Sequence, residues 1–305
     1  MAIYKSINEL VGNTPIIELC EIEKKYNLKS KIFAKLELFN PCGSSKDRIA
    51  KNIIDVALKE GKITKGGTII EATSGNTGIG LAGIGGAMGF KSVIVMPDTM
   101  SKERIQIMRA YGAEVILSDG KLGMKGANEL AQKIAKERQN SFIASQFENV
   151  ANPIAHYNTT GPEIYKDLDG QIDYFVCTVG TGGTLSGTGK YLKEQNSSIQ
   201  VVAVEPKSSP LLSEGKAGPH KIQGIGANFV PSTLDKEIYD EVITISDEDA
   251  YSLTAEISKT EGILVGISSG CALKASIEIA KRAENKNIVT IFPDTGMRYL
   301  SEDIW

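Results

Sequence analysis

Lys46 stands in the run Asn40-Pro41-Cys42-Gly43-Ser44-Ser45-Lys46-Asp47-Arg48, where small and polar residues lead into an amphipathic stretch. An amine in the first turn of a helix faces the positive end of the helix dipole, which disfavours the ammonium form. A neutral amine of that kind suits imine formation with a carbonyl and subsequent proton abstraction. Further along, Thr73-Ser74-Gly75-Asn76-Thr77-Gly78 follows the short run Thr68-Ile69-Ile70-Glu71-Ala72. Its backbone amides and the hydroxyls of Thr73, Ser74 and Thr77 can converge on an anion, and Asn76 adds a neutral donor that suits a phenolate oxygen. A third motif, Gly180-Thr181-Gly182-Gly183-Thr184, follows the apolar residues 174–179. Glycines let a backbone approach an anion closely, and a helix N-terminus offers N–H groups to a phosphate dianion. Amine, anion nest and phosphate cradle together point to chemistry on amino acids through an aldehyde cofactor bearing a phosphate, pyridoxal 5′-phosphate.

Taken singly, each motif has a plainer reading. Lysines of amphipathic helices are commonly solvated charges, and the 73–78 turn also serves as ordinary helix capping. Asp47 and Arg48 read as structural charges. The 180–184 glycines fit close packing, or a dinucleotide unit with Glu205 at the end of the following strand. The dinucleotide fingerprint fails at its third glycine, where Leu185 stands.

Composition removes several other chemistries. Only two histidines, His156 and His220, occur, which argues against a Ser-His-Asp hydrolase or a zinc enzyme; no metal is expected. The net charge of -3 with no basic block makes nucleic acid a poor partner. No apolar run approaches the about 18 residues of a membrane span, and the opening Met1-Ala2-Ile3-Tyr4-Lys5-Ser6 lacks a leader's apolar segment. Cys20, Cys42, Cys177 and Cys271 are widely spaced and suit a reducing cytoplasm.

The elements that must position these motifs alternate. A helix is expected from Ser44 or Ser45 to Gly61, with Ile49, Ile53, Ile54, Ala57 and Leu58 on one face. Strands are expected at 68–72, 92–96, 114–117 and 142–144, with helices at 80–88, 102–111 and 124–138. The pattern then repeats: a helix at 153–167, a strand at 174–179, a helix to 194, a strand at 200–204, and an irregular excursion over 206–240. A strand at 242–245, helices at 247–261 and 269–283, and a strand at 288–292 complete it. This is an α/β chain of two doubly wound lobes with twisted, mostly parallel sheets.

Ordered matches over nearly the whole length then point further. They comprise Gly12-Asn13-Thr14-Pro15, the 40–48 run, 73–78, Met96-Pro97-Asp98-Thr99-Met100-Ser101, Thr160-Gly161-Pro162-Glu163-Ile164, 180–184, residues 219–227 and Gly266-Ile267-Ser268-Ser269-Gly270. In these the chain resembles the cysteine synthases (O-acetylserine sulfhydrylases) of the cysteine synthase/cystathionine β-synthase family, pyridoxal phosphate enzymes of fold type II, the tryptophan synthase β-like fold. The resemblance implies that Lys46 forms the imine with the cofactor, that Gly180, Thr181, Gly182, Gly183 and Thr184 bind its phosphate, and that Asn76 binds O3′. Ser268 would meet the pyridine nitrogen, with Ser269 the second choice and helix capping the plainer role for both. Thr73, Ser74, Gly75, Thr77 and Gln146 would grip the substrate carboxylate.

The resemblance also implies a smaller mobile lobe over 45–148 and a larger one from 1–44 plus 149–305, with the cofactor between them and closure that excludes water. It implies a homodimer, and a cleft that can dock the C-terminal tail of serine acetyltransferase. The activity implied is β-replacement on an O-activated serine or cysteine through an α-aminoacrylate, foremost cysteine synthesis from O-acetylserine and sulfide. The alternatives are hydrogen sulfide release from cysteine, giving lanthionine or a cystathionine-type product, and a serine/threonine dehydratase. Asn228 stands where such enzymes commonly carry glycine, and Met297 where glutamate is common.

Overall fold

The computed structural model describes residues 3–305. Met1 and Ala2, part of the opening stretch weighed as a leader, lie outside the described residues. In chain order the elements begin with β1 (Ile16–Glu18), α1 (Cys20–Lys25), β2 (Lys31–Leu36) and α2 (Lys46–Lys59). Next come β3 (Thr68–Ala72), α3 (Asn76–Ala87), β4 (Lys91–Pro97), α4 (Lys102–Ala110), β5 (Glu114–Ser118), α5 (Gly123–Glu137) and β6 (Ser141–Ile143). The remainder is α6 (Ala151–Asn158), α7 (Thr160–Asp167), β7 (Tyr174–Thr178), α8 (Gly183–Gln195), β8 (Gln200–Pro206) and α9 (Leu211–Glu214). It closes with β9 (Glu241–Ile245), α10 (Asp247–Thr260), α11 (Ile267–Arg282) and β10 (Asn287–Phe292).

The chain falls into two compact units. One comprises the chain up to Val11 together with Asn40–Ala151, and the other Gly12–Phe39 with Asn152–Trp305. The first holds a four-stranded sheet in the order β5-β4-β3-β6, every pair parallel. The second holds a six-stranded sheet, β1-β2-β10-β7-β8-β9, parallel except for the edge pair β1–β2. In the larger sheet Phe175 and Cys177 enter one core cluster while Val176 enters another. Alternate residues of β7 are therefore buried on opposite faces, which explains why its sequence reads as a continuous apolar run.

Both sheets reverse direction in the same way. The chain builds β3, β4 and β5 outward and returns to β6 on the other side of β3; likewise β7, β8 and β9 run outward before β10 returns beside β7. Loops leaving the carboxyl ends of strands at such a reversal diverge to opposite faces and leave a crevice for ligands. The 73–77 turn and Gln146 leave β3 and β6 at the first reversal. The 180–184 loop leaves β7 at the second.

The expected alternation appears with four corrections. The helix expected over 153–167 is two helices, because Pro162 has no N–H to give to residue 158 and Thr159 leaves helical geometry (φ -130°, ψ -67°). The helices expected from 80 and from 269 begin earlier, at Asn76 and Ile267. The first two strands, β1 and β2, had no expected counterpart. Leu58, assigned to the apolar face of α2, is 37% exposed, while Ile49, Ile53, Ile54 and Ala57 are buried.

Candidate active site

Lys46 is the first residue of α2, and the run before it is folded to present it there. The Ser44 hydroxyl accepts the Lys46 N–H at 3.3 Å, and the buried Asp47 carboxylate accepts the Cys42 N–H at 2.6 Å. Gly43 turns the chain with φ 81°. Asp47 and Arg48 are both buried, so they are structural charges of the interior rather than of the surface. The Lys46 side chain is half-buried, its Nζ 3.5 Å from Ser45 Oγ.

α3 packs against α2 through glycines. A Cβ at Gly80 would stand 3.1 Å from the Lys46 carbonyl oxygen and 3.3 Å from Ala50 Cβ, and one at Gly83 would collide with Cys42 Sγ. Asn76 lies one turn before Gly80 on the same face of α3. The seam therefore brings the openings of α2 and α3, and with them Lys46 and Asn76, side by side within one unit.

The turn between β3 and α3 is organised by its own hydroxyls. Thr73 Oγ1 accepts the Gly75 N–H at 3.2 Å, and the Arg104 guanidinium donates to the Ser74 carbonyl at 3.5 Å. Thr77, buried, donates to Gln146 Oε1 at 2.5 Å. Gln146, which directly follows a strand and its turn, is only 6% exposed. Thr77 and Gln146, from separate segments, thus meet directly.

The 180–184 loop excludes side chains. A Cβ at Gly180 would collide with the Gly224 carbonyl oxygen, and one at Gly183 with the Asn152 side chain. Gly182 has φ 81°, and a Cβ there would press on Leu234 at 2.6 Å. Three residues outside the motif hold it. Asn152 Nδ2 donates to Thr181 Oγ1 at 3.0 Å, and the Thr233 hydroxyl donates to the Thr181 carbonyl at 2.6 Å. The buried His156 ring bridges Thr184 Oγ1 (3.1 Å) and Thr160 Oγ1 (2.8 Å). Sequence reasoning missed Asn152, His156 and Thr233, which come from segments far from the glycines. A histidine and an asparagine on the otherwise small α6 face were the only trace of them.

Ser268 and Ser269 lie inside the first turn of α11, whose N-cap is Gly266, so neither is the cap the plain reading made it. Both are buried, and the Ser269 hydroxyl has no hydrogen-bond partner among the described residues. Asn228 adopts φ 60°, a left-handed conformation that asparagine tolerates better than other side chains, so it stands in for glycine there. Met297 is 66% exposed.

Within each unit the donors fit the parts of pyridoxal phosphate. One offers an amine and a carboxamide on adjacent helix openings. The other offers a glycine cradle without acidic side chains, two threonine hydroxyls and a buried serine pair. Among the described residues no helix is long and apolar enough to cross a membrane.

Comparison with known proteins agrees. Residues 7–294 match the pyridoxal-phosphate dependent enzyme family. The chain is 49% identical over 305 residues to cysteine synthase B of Campylobacter jejuni, covering 100% of both. It superposes on the crystal structure of cysteine synthase from Entamoeba histolytica with a TM-score of 0.96 and 45% identity, covering 100% of this chain and 91% of that one. A hydrogen sulfide-producing enzyme of Fusobacterium nucleatum gives 0.95 and 48%, covering 98% and 99%. The chain belongs to the pyridoxal-phosphate dependent enzyme family, with the fold of its type II cysteine synthases.

Proposed function

We propose that this enzyme replaces the β-substituent of an O-activated serine, making cysteine from O-acetylserine and sulfide. The observation that supports the reading is the α2–α3 seam, which sets Lys46, at the start of α2, beside the 73–77 turn, whose Thr77 meets Gln146. Bound pyridoxal phosphate supplies an electron sink that lets an amino acid lose its Cα proton and a β-leaving group. Lys46 would hold the aldehyde carbon and, once released from it, carry the Cα proton on Nζ. Asn76 would donate to O3′. Gly180, Thr181, Gly182, Gly183 and Thr184 would hold the phosphate through backbone N–H groups and hydroxyls. Ser268 would meet the pyridine nitrogen as a neutral partner, which keeps the ring a weaker sink than a carboxylate partner would and favours β-elimination over transamination. Thr73, Ser74, Gly75, Thr77 and Gln146 would grip the α-carboxylate, so that an amino acid rather than an amine is accepted.

A second reading, with cysteine as donor and hydrogen sulfide as product, draws support from the likeness to the Fusobacterium nucleatum enzyme. A serine/threonine dehydratase is less well supported, since Thr77-Gly78 after Ser-Gly-Asn resembles the replacement enzymes. We further infer a cytoplasmic homodimer in which the smaller unit binds substrate, and a serine acetyltransferase tail as a partner, from likeness to cysteine synthases.

The test is to offer purified holoenzyme O-acetylserine, serine or cysteine, each with and without sulfide, and to measure cysteine and hydrogen sulfide formed. Cysteine formation from O-acetylserine should exceed every other rate. Lys46→Ala should lose at least about 10³-fold in turnover; steady turnover by that variant would remove Lys46 from its role.

A further inference from the structure

β3 carries a charge where its sequence is otherwise apolar or small: Glu71 is 3% exposed, two residues before the 73–77 turn. Its carboxylate accepts the Ser145 N–H at 2.8 Å and the Gln146 N–H at 3.2 Å, and the Gln146 side chain adds a hydrogen bond to it. Ser145 has φ 53°, a left-handed conformation that costs a non-glycine residue energy unless its surroundings impose it. A burial this complete is expensive for a carboxylate, and three N–H donors aimed at it are the compensation. With its N–H end drawn to Glu71, the Gln146 amide turns its oxygen to the Thr77 hydroxyl, 2.5 Å away.

We propose that Glu71 is a positioning residue for the amino acid carboxylate: it locks the Ser145-Gln146 turn and thereby the orientation of the Gln146 amide against Thr77. The inference rests on the reading of Thr77 and Gln146 as carboxylate grips. Burial pushes the Glu71 carboxyl up to about 7 against the opposing pull of the Gln146 and Ser145 donors, and Glu148, in the same turn as Gln146, raises it further. A proton on Glu71 would replace an acceptor by a donor facing N–H groups and loosen the turn.

The experiment is a double-mutant cycle on the holoenzyme, with Glu71→Gln, Gln146→Ala and the pair, measuring KM and kcat for O-acetylserine and the visible absorption of bound cofactor. Glu71→Gln should raise KM about 10-fold with kcat and cofactor content little changed. The pair should be no worse than Gln146→Ala alone. An unchanged KM in Glu71→Gln, or effects that multiply in the pair, would overturn the proposal. If Gln146→Ala itself leaves KM unchanged, the carboxylate reading fails and the proposal falls with it, a result distinct from failure at Glu71 alone. Should Glu71→Gln not fold, the KM ratio of Gln146→Ala to wild type can be followed with pH, which cancels titration of the substrate. The ratio should shrink as pH falls through about 7; a constant ratio would overturn the role of Glu71.

Discussion

The 73–77 turn and the 180–184 loop are built to the same plan and finished differently. Each leaves the carboxyl end of a strand where its sheet reverses, and each opens a helix. In the 180–184 loop a Cβ at Gly180 or Gly183 has nowhere to go, and Asn152, Thr233 and His156 tie the loop from outside. In the 73–77 turn a Cβ at Gly75 would meet nothing nearer than Thr73 Oγ1 at 4.0 Å. Its ties run through Arg104, on the Ser74 carbonyl, and through Gln146 and, behind that, Glu71. A walled loop suits a phosphate that arrives once and stays. A roomier turn suits a carboxylate that must enter and leave at every cycle.

Substitutions at matching positions put that difference to work. Gly183→Ala should be the most damaging, because its methyl group must displace Asn152 and with it Thr181; cofactor should be lost on gel filtration, read as loss of visible absorption. Gly75→Ala, with backbone φ -121° that alanine accepts, should keep its cofactor. Equal cofactor loss in both would erase the distinction. Thr77→Val comes next. It leaves the Gln146 oxygen without its 2.5 Å donor and should raise KM for O-acetylserine about 10-fold at full cofactor content, measured by steady-state kinetics.

The smallest effect concerns stability and pH. Folded Glu71, raised to about 7, holds its proton where the unfolded carboxyl has lost it. The folded state therefore binds more protons, so this contribution to stability is fully present below the unfolded value and is lost as pH rises through about 7. Urea unfolding of wild type at about pH 5 and about pH 8 should show the decline, and Glu71→Gln should flatten it. An identical decline in the variant would place its origin elsewhere.

Much of this was written in short-range pattern. The strands from 68 onward, both sheet reversals' loops, Lys46 and the glycines sit in local runs whose periodicity and residue types carry their meaning. What stayed hidden was of two kinds. β1 has three residues and lies at an antiparallel edge, and β2 carries the fully buried Lys35, whose charge masks the strand; its ammonium is met by Glu163 and Asp167 from α7. The ties on the loops were hidden because Glu71, Asn152, His156 and Thr233 act across the fold, where spacing along the chain says nothing. Glu71 left the clearest trace, as a charge inside an otherwise apolar or small strand.

The glycine at position 80 gives the molecule a built-in ruler. Any atom added there would wedge the backbone of residue 46 away from the neighbouring helix, lengthening the reach from amine to carboxamide by tenths of an ångström while leaving both groups chemically intact. A graded series of side chains at that single site would therefore tune the spacing between the two proposed cofactor contacts, and the tint of the purified protein would report the adjustment.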